Sequence, residues 1–66
     1  MTVAEFSEKY GFKSKYYQTV AEKGSWEQQA QYGLLYGDVM TGDLQDQEVN
    51  DRAEKLELIY LICCQG

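Results

Sequence analysis

Carboxylates form the densest group of chemically capable side chains in this 66-residue sequence. Seven of them fall within twenty residues, diluted by one arginine and one lysine: Asp38, Asp43, Asp46, Glu48, Asp51, Glu54 and Glu57. Carboxylates at helical spacing can approximate the phosphates of a nucleic acid, and opposite electrostatic fields speed the encounter with a basic protein. The pattern favours a surface for a basic protein partner; the alternative is a solvated helix face that promotes solubility.

The same carboxylates fit neither a metal site nor an enzyme. The stretch 38–49 has the length of a calcium loop, but Met40 and Gly42 occupy ligand positions and no glycine stands at the sixth place. The chain contains no histidine, which excludes histidine-ligated zinc and histidine-activated nucleophiles. No glycine-rich phosphate loop is present, and so short a chain has little volume for a pocket that excludes water. We expect a non-enzymatic protein without metal or cofactor.

The two cysteines, Cys63 and Cys64, are adjacent. A disulfide between them would be strained and would close no useful loop, whereas small secreted domains usually carry several bridges. Two thiolates are also two ligands short of a structural zinc site. We therefore expect two reduced, apolar residues at a helix end and a cytoplasmic protein. No signal peptide or membrane-spanning apolar run is expected, and hence no membrane partner.

Two tyrosines lie four residues apart in the stretch Tyr-Gly-Leu-Leu-Tyr-Gly. Tyrosine combines contact area with a polar tip and is favoured at protein interfaces. Both are therefore candidate partner contacts, with partly exposed core edges as the alternative. Together with the acidic residues, the predicted partner surface comprises Tyr32, Tyr36, Asp43, Asp46, Glu48, Asp51, Glu54 and Glu57.

The segment that contains these tyrosines also has a series of apolar and small residues at steps of four, three and four: Trp26, Ala30, Gly33 and Gly37. We expect Trp26 in the core. Each glycine costs about 1 kcal/mol in helix propensity. The two glycines are therefore expected to permit close helix contact or to end the helix at Gly37.

Helices are predicted to position these side chains, because the chain lacks proline and its apolar residues recur at helical spacing. Four segments are expected, at about 2–10, 14–23, 25 onward and 44–63. Capping residues mark the starts of the first, third and fourth segments: Thr2 with Glu5, Ser25 with Gln28, and Thr41 or Asp43. Gly11 and Gly24 mark the ends of the first two segments. An apolar share of 44% is too rich for a disordered chain. We expect a single small all-α domain of four helices over residues 1–66, with a long C-terminal helix.

The last predicted helix has one continuous apolar seam at steps of four, three, four and three: Val49, Ala53, Leu56, Tyr60 and Cys63. Its final turns are apolar all round, because four further apolar residues lie outside that seam. Such a helix is either surrounded by the other three or packed against another molecule. Those four residues are the predicted self-association surface of a homodimer: Leu58, Ile59, Leu61 and Ile62.

Residues 2–20 combine two short helical segments with a glycine between them. Phe6, Tyr10, Tyr17 and Val20 are apolar where two crossed helices would meet, Ser7 is small at the crossing, and Phe12 would fill the turn after Gly11. This pattern resembles the helix-turn-helix unit of phage repressors and excisionase-type regulators; an ordinary helical corner is the alternative. The resemblance implies an N-terminal helix-turn-helix-like corner and an outward set that contacts DNA: Lys13, Ser14, Lys15, Gln18 and Thr19.

Charge separates the two functional hypotheses. Residues 1–24 carry net +1, residues 25–66 carry net −6, and the whole chain carries −5. DNA affinity comes largely from basic side chains that displace counterions, so a DNA-binding form would need dimerisation to double its contacts. The leading hypothesis is a small acidic inhibitor or adaptor of phage type, similar in general character to anti-CRISPR proteins and DNA mimics, that occludes a basic nucleic-acid-binding surface of a protein. The alternative is a dimeric helix-turn-helix DNA-binding transcriptional regulator.

Overall fold

The computed structural model describes residues 1–65, with side chains described through residue 63. It contains four helices: α1 (Val3–Tyr10), α2 (Lys15–Lys23), α3 (Trp26–Thr41) and α4 (Asp46–Gln65). The longest helix, α4, packs against each of the other three. No strand occurs among the described residues. The predicted small all-α domain with a long C-terminal helix is confirmed.

The starts of α1 and α3 follow from reciprocal capping. Thr2 Oγ1 accepts a hydrogen bond from Glu5 N at 3.2 Å, and Glu5 Oε1 accepts one from Thr2 N at 3.1 Å. Ser25 and Gln28 repeat the arrangement at 3.2 and 2.9 Å. These bonds satisfy amide groups that have no partner within the helix, and both predicted capping boxes are confirmed. The hydrogen bond from Thr2 N also lowers the pKa of Glu5.

Glycines end the first three helices, at Gly11, Gly24 and Gly42. At Gly42 a β-carbon would lie 2.6 Å from Asp38 O, so a side chain at this helix end would force the backbone to move. The predicted ends at Gly11 and Gly24 are confirmed. The predicted end at Gly37 is wrong, because α3 continues through it for another turn.

The start of α4 differs from the prediction. Thr41 still belongs to α3, and its hydroxyl donates to a carbonyl one turn earlier in that helix. Asp43 lies in the loop 42–45, which reverses the chain between α3 and α4. The first hydrogen bond of α4 runs from Val49 N to Gln45 O at 3.0 Å. Neither Thr41 nor Asp43 therefore caps α4, which begins at Asp46.

The core lies where α4 meets the other helices. Its buried residues come from all four helices: Phe6, Tyr10, Val20, Tyr32, Val39, Val49, Ala53, Leu56, Ile59 and Cys63. The predicted seam of α4 is confirmed except at Tyr60, which is half-buried while Ile59 is buried. Cys63 is a buried free thiol whose Sγ donates to Thr19 O at 3.6 Å. The prediction for the side chain of Cys64 lies outside the described residues.

Aromatic rings fill the corner between α1 and α2. Tyr10 is fully buried, with ring centroids 5.1 Å from Phe6 and 4.9 Å from Tyr16. Because these rings occupy the interior, Phe12 does not fill the turn as predicted, and 66% of it is exposed. Ser7 lies beside α3, with its hydroxyl 3.4 Å from that of Tyr36.

Candidate protein-interaction surfaces

The acidic surface consists of carboxylates in the loop 42–45 and the first turns of α4. Five of the six predicted carboxylates are exposed: Asp43, Asp46, Glu48, Asp51 and Glu54. The last three stand three residues apart, so they are neighbours along one side of the helix. Two cations lie on the same stretch: Lys55 is exposed and Arg52 is half-buried. The structure thus exposes five predicted partner residues in the loop 42–45 and the first half of α4.

Glu57, the sixth predicted carboxylate, follows Glu54 by three residues but is less exposed than the other five. Its side chain is half-buried and close to α1. Burial is the main cause that raises the pKa of Tyr10, and the negative charge of Glu57 raises it further. The same charge contributes to a raised pKa of Lys9, whose larger cause is its interaction with the Tyr10 side chain. Glu57 therefore lies close enough to Tyr10 and Lys9 for its charge to act on both.

The two tyrosines of the predicted partner surface belong to the interior. Tyr32 is only 2% exposed, and its hydroxyl donates to Tyr10 O at 2.7 Å. Burial raises the pKa of Tyr32 well above the usual range of tyrosine. The prediction that Tyr32 contacts a partner is wrong, because its ring packs in the core. Tyr36 is half-buried, and its ring stacks on that of Phe6 with the centroids 5.8 Å apart. It therefore lies at the edge of the core, which was the alternative to a partner contact.

An apolar stripe of α3 faces outward. Trp26, which was predicted in the core, belongs to this stripe, so that prediction is wrong. Trp26 is 85% exposed, and Ala30 and Gly33 are exposed as well. In the described part of the chain, no neighbouring atom lies within 4 Å of the place where a β-carbon of Gly33 or Gly37 would stand. The expected close helix contact at these glycines is therefore absent within the described residues of one chain.

The core side of α3 explains this outcome. Tyr32 and Val39 are buried there, and Leu35 and Tyr36 pack partly buried beside them. Residues at these positions form a second apolar stripe at helical spacing, and they offer far more volume than alanine and glycine. The larger stripe faces the core, so the other stripe faces solvent. A signal for this was present in the sequence, since α3 has no charged residue between Glu27 and Asp38.

An apolar groove runs between α3 and α4. Leu34 and Leu35 line it from α3, and Leu58 and Ile59 line it from α4, around an open volume of about 430 Å³. Leu34 is 70% exposed and Leu58 is 58% exposed. One turn beyond Leu58, Ile62 is 60% exposed. The groove therefore joins exposed apolar side chains of two helices into one strip.

Three of the four predicted self-association residues are exposed: Leu58, Leu61 and Ile62. Ile59 is not, because its side chain packs with the core. Ile59 is thus a wrong prediction for a surface contact, although its edge lines the groove. The exposed part of α3, above all Leu34, was missing from the predicted set.

The residues implied by the helix-turn-helix resemblance divide into two groups. Lys13, Lys15 and Gln18 are exposed at the turn and at the start of α2. Ser14 is half-buried and caps α2, with its hydroxyl accepting a hydrogen bond from Tyr17 N at 3.3 Å. Thr19 is half-buried as well. A ligand approaching α2 would meet the two lysines and the glutamine first.

Three further findings concern metal ions, membranes and small ligands. In the described part of the chain, no group of three or more histidine, cysteine, aspartate or glutamate side chains is placed to hold a metal ion. None of the helices described has the length and apolarity that a membrane span requires. A further pocket, near Tyr17 and Gly33, measures about 130 Å³, which is small for an organic ligand.

Comparisons with protein-family models, with curated proteins and with solved structures found no match to this chain. A fold alone does not define a function in any case, since function depends on the site. The acidic surface of α4 and the apolar strip of α3 and α4 are therefore the features from which function has to be argued.

Proposed function

We propose that this protein is a non-enzymatic, cytoplasmic protein-binding module whose acidic surface occupies a basic surface of another protein. The observation that carries the proposal is the exposure of Asp43, Asp46, Glu48, Asp51 and Glu54 together at the start of one helix. α4 holds all of these carboxylates except Asp43 at fixed spacing, so a partner does not have to order them on binding.

The spacing suits a partner that binds nucleic acid. Glu48, Asp51 and Glu54 advance about 4.5 Å along the helix axis at each step. Phosphates along one DNA strand advance about 3.4 Å, which is of the same order. A basic groove that accepts phosphates would therefore meet negative charge at comparable intervals. The mechanism is steric and electrostatic occlusion, as in an inhibitor or adaptor of phage type.

The test is a charge reversal with a matched control. Asp51→Lys with Glu54→Lys removes the centre of the acidic surface, whereas Glu8→Lys with Glu22→Lys makes the same change in net charge at exposed sites on α1 and α2. Immobilised wild-type protein should retain a basic protein from a lysate, and salt should release it. The control variant should retain the same protein and the α4 variant should not. Equal retention by both variants would contradict the proposal.

A second measurement addresses occlusion itself. The retained protein, once purified, should bind a nucleic acid, and added wild-type protein should displace that nucleic acid. The α4 variant should leave the nucleic acid bound. A retained protein that keeps its nucleic acid in the presence of excess wild-type protein would refute occlusion while leaving binding intact.

The exposure of Lys13, Lys15 and Gln18 supports a second candidate, a DNA-binding regulator that uses α2. Lys13→Ala with Lys15→Ala should abolish its DNA binding, because phosphate contacts supply most of the affinity. Fluorescence anisotropy with duplex DNA at low salt measures it directly. Binding by the wild-type protein that is lost in this variant would favour the regulator over the acidic module.

A further inference from the structure

We propose that the basic corner between α1 and α2, defined as residues 9–21, binds single-stranded nucleic acid. One base lies beside Phe12, and the phosphates on either side of it lie at Lys13 and Lys15. The proposal does not rest on the function proposed above, since the exposed carboxylates of α4 take no part in it. It also differs from recognition of a duplex by α2, because it depends on an exposed ring and not on a helix that enters a groove.

Charge is the first argument. Residues 9–21 contain three of the six lysine and arginine residues and no aspartate or glutamate, so this stretch carries +3 in a chain that carries −5. All three lysines, Lys9, Lys13 and Lys15, are exposed. The ammonium groups of Lys9 and Lys15 each lie 5.3 Å from the centroid of a neighbouring tyrosine ring. Two of the three cations are thus held at the surface of the basic corner, where phosphates can reach them.

An exposed aromatic ring among these lysines is the second argument. Phe12 stands between Lys9 and Lys13 in the sequence and leaves 66% of its surface in water. Aromatic rings along a basic surface bind single strands by stacking, because every base has a face that can stack. The bases of a duplex are already stacked on one another. Phe12 therefore favours a single strand over a duplex.

A pocket of about 270 Å³ beside Phe12 is the third argument. Glu8 and Lys13 line it next to this ring, and Ser7 and Tyr36 line it from α1 and α3. Pockets that enclose whole small molecules start near about 300 Å³. The volume therefore suits one base, with the sugar and the phosphates outside.

The polar groups of this pocket match the edge of a base. The hydroxyls of Ser7 and Tyr36 are 3.4 Å apart, and both side chains are half-buried. A hydrogen bond between them uses one of their two protons, so one donor and several acceptors remain for a ligand. The carboxylate of Glu8 can accept a hydrogen bond from the amino group of cytosine. The same carboxylate repels phosphate, which agrees with phosphates that lie at the lysines outside the pocket.

An acidic peptide is the other ligand that three lysines could attract. Such a peptide would contact the lysines alone. A single strand contacts the lysines with its phosphates, the ring of Phe12 with the face of a base and the pocket with the edge of that base. The presence of all three features in the basic corner therefore favours nucleic acid.

The small number of contacts implies weak binding that depends on salt. Three lysines neutralise at most three phosphates, so log Kd should rise with the logarithm of the salt concentration with a slope of about 2. We expect a Kd of about 10⁻⁴ M, at the weak end of the range for binding without sequence preference.

The experiment measures the fluorescence anisotropy of a labelled DNA strand of about sixteen nucleotides, the upper end of the usual site sizes. The strand is rich in cytosine and does not pair with itself, and the same strand annealed to its complement is the duplex probe. At about 50 mM salt the protein should bind the single strand more tightly than the duplex. Unlabelled strand should compete, and polyglutamate of equal charge should compete much less.

Phe12→Leu tests the stacking contact. The variant keeps an exposed apolar side chain but lacks the aromatic face, and it should fold, as circular dichroism would show. It should bind the single strand about tenfold more weakly, whereas Phe12→Trp should retain binding. Trp26→Leu is the matched control, because it removes an exposed ring of α3 outside the basic corner and should leave binding unchanged.

Lys13→Gln tests the phosphate contact. Loss of one lysine should reduce the slope of log Kd against log salt by about 0.7. Lys55→Gln makes the same change in net charge at an exposed position of α4 and should leave the slope unchanged.

Four outcomes would overturn the proposal. The first is a wild-type protein that does not bind the single strand at concentrations up to about 1 mM, ten times the expected Kd. The second is tighter binding to the duplex, which would favour recognition of a groove by α2. The third is equal competition by polyglutamate, which would favour an acidic peptide. The fourth is a Phe12→Leu variant that binds as tightly as Trp26→Leu.

Discussion

Removing one hydroxyl, in the substitution Tyr32→Phe, tests the position of this residue in the core. The hydroxyl donates to Tyr10 O at 2.7 Å and links α3 to the C-terminal turn of α1. The carbonyl of Tyr10 is not used by the next turn, because Ser14 N donates to Gly11 O instead. The variant would therefore leave a buried carbonyl of a helix end without its partner.

The expected effect follows from that geometry. A buried acceptor left without a partner costs about 1–3 kcal/mol. The ring itself stays, so no cavity adds to this figure. We expect Tyr32→Phe to lower the free energy of unfolding by about 2 kcal/mol, a large fraction of the stability of a domain this small.

Urea unfolding followed by circular dichroism measures the loss directly. Tyr17→Phe is the matched control: Tyr17 packs edge-on against Tyr32 at 5.7 Å but is more than a third exposed. We expect the control to lie within about 0.5 kcal/mol of the wild type. Equal stability of the wild type and Tyr32→Phe, together with loss of partner binding, would refute the reasoning. Tyr32 would then be a surface residue that contacts a partner.

Four further predictions concern stability. Burial raises the pKa of Tyr32, so above pH about 10, the ordinary tyrosine pKa, only the unfolded chain releases this proton. The stability of the wild type should therefore fall by about 1.4 kcal/mol per pH unit in this range, and that of Tyr32→Phe should fall less steeply. Alkaline unfolding followed by circular dichroism measures the difference. Thr2→Ala should cost about 1 kcal/mol in urea unfolding by removing a helix cap. Gly33→Ala should raise the free energy of unfolding by about 1 kcal/mol, and with it the melting temperature. Gly11→Ala should lower the melting temperature, because the new β-carbon would collide with Ser7 O. Leu56→Ala should cost about 2–5 kcal/mol in urea unfolding, since Leu56 is fully buried.

The helix boundaries that depend on neighbouring residues were predictable. Thr2 and Ser25 accept hydrogen bonds from amides three residues on, so each start is determined by four residues of sequence. The seam of α4 was predictable for a similar reason, because one apolar stripe on a charged helix leaves a single way to bury it. The exposed carboxylates from Asp46 to Glu54 follow from the same pattern.

Features that depend on tertiary packing were not predictable in this way. Ile59 lies at the edge of the α4 seam, and only the position of α3 places it in the core. Phe12 follows a helix-ending glycine, where an aromatic residue often fills a turn, but Tyr10 and Tyr16 already occupy that interior. Tyr32 and Tyr36 are four residues apart, and their spacing is equally compatible with a core and with an interface.

The two stripes of α3 bear most directly on function. Both stripes recur at helical spacing, and the one that contains Tyr32 and Val39 is buried. Folding therefore accounts for one stripe and leaves Trp26 and Leu34 of the other stripe exposed.

This division gives the protein two separate surfaces, an acidic one at the start of α4 and an apolar one on α3. If they act independently, Gly33→Glu on the apolar surface should leave the affinity for a basic partner unchanged, whereas Asp51→Lys with Glu54→Lys should remove it, because distant sites without shared contacts do not affect one another. Equal loss of affinity in both variants would show that the partner contacts the two surfaces together.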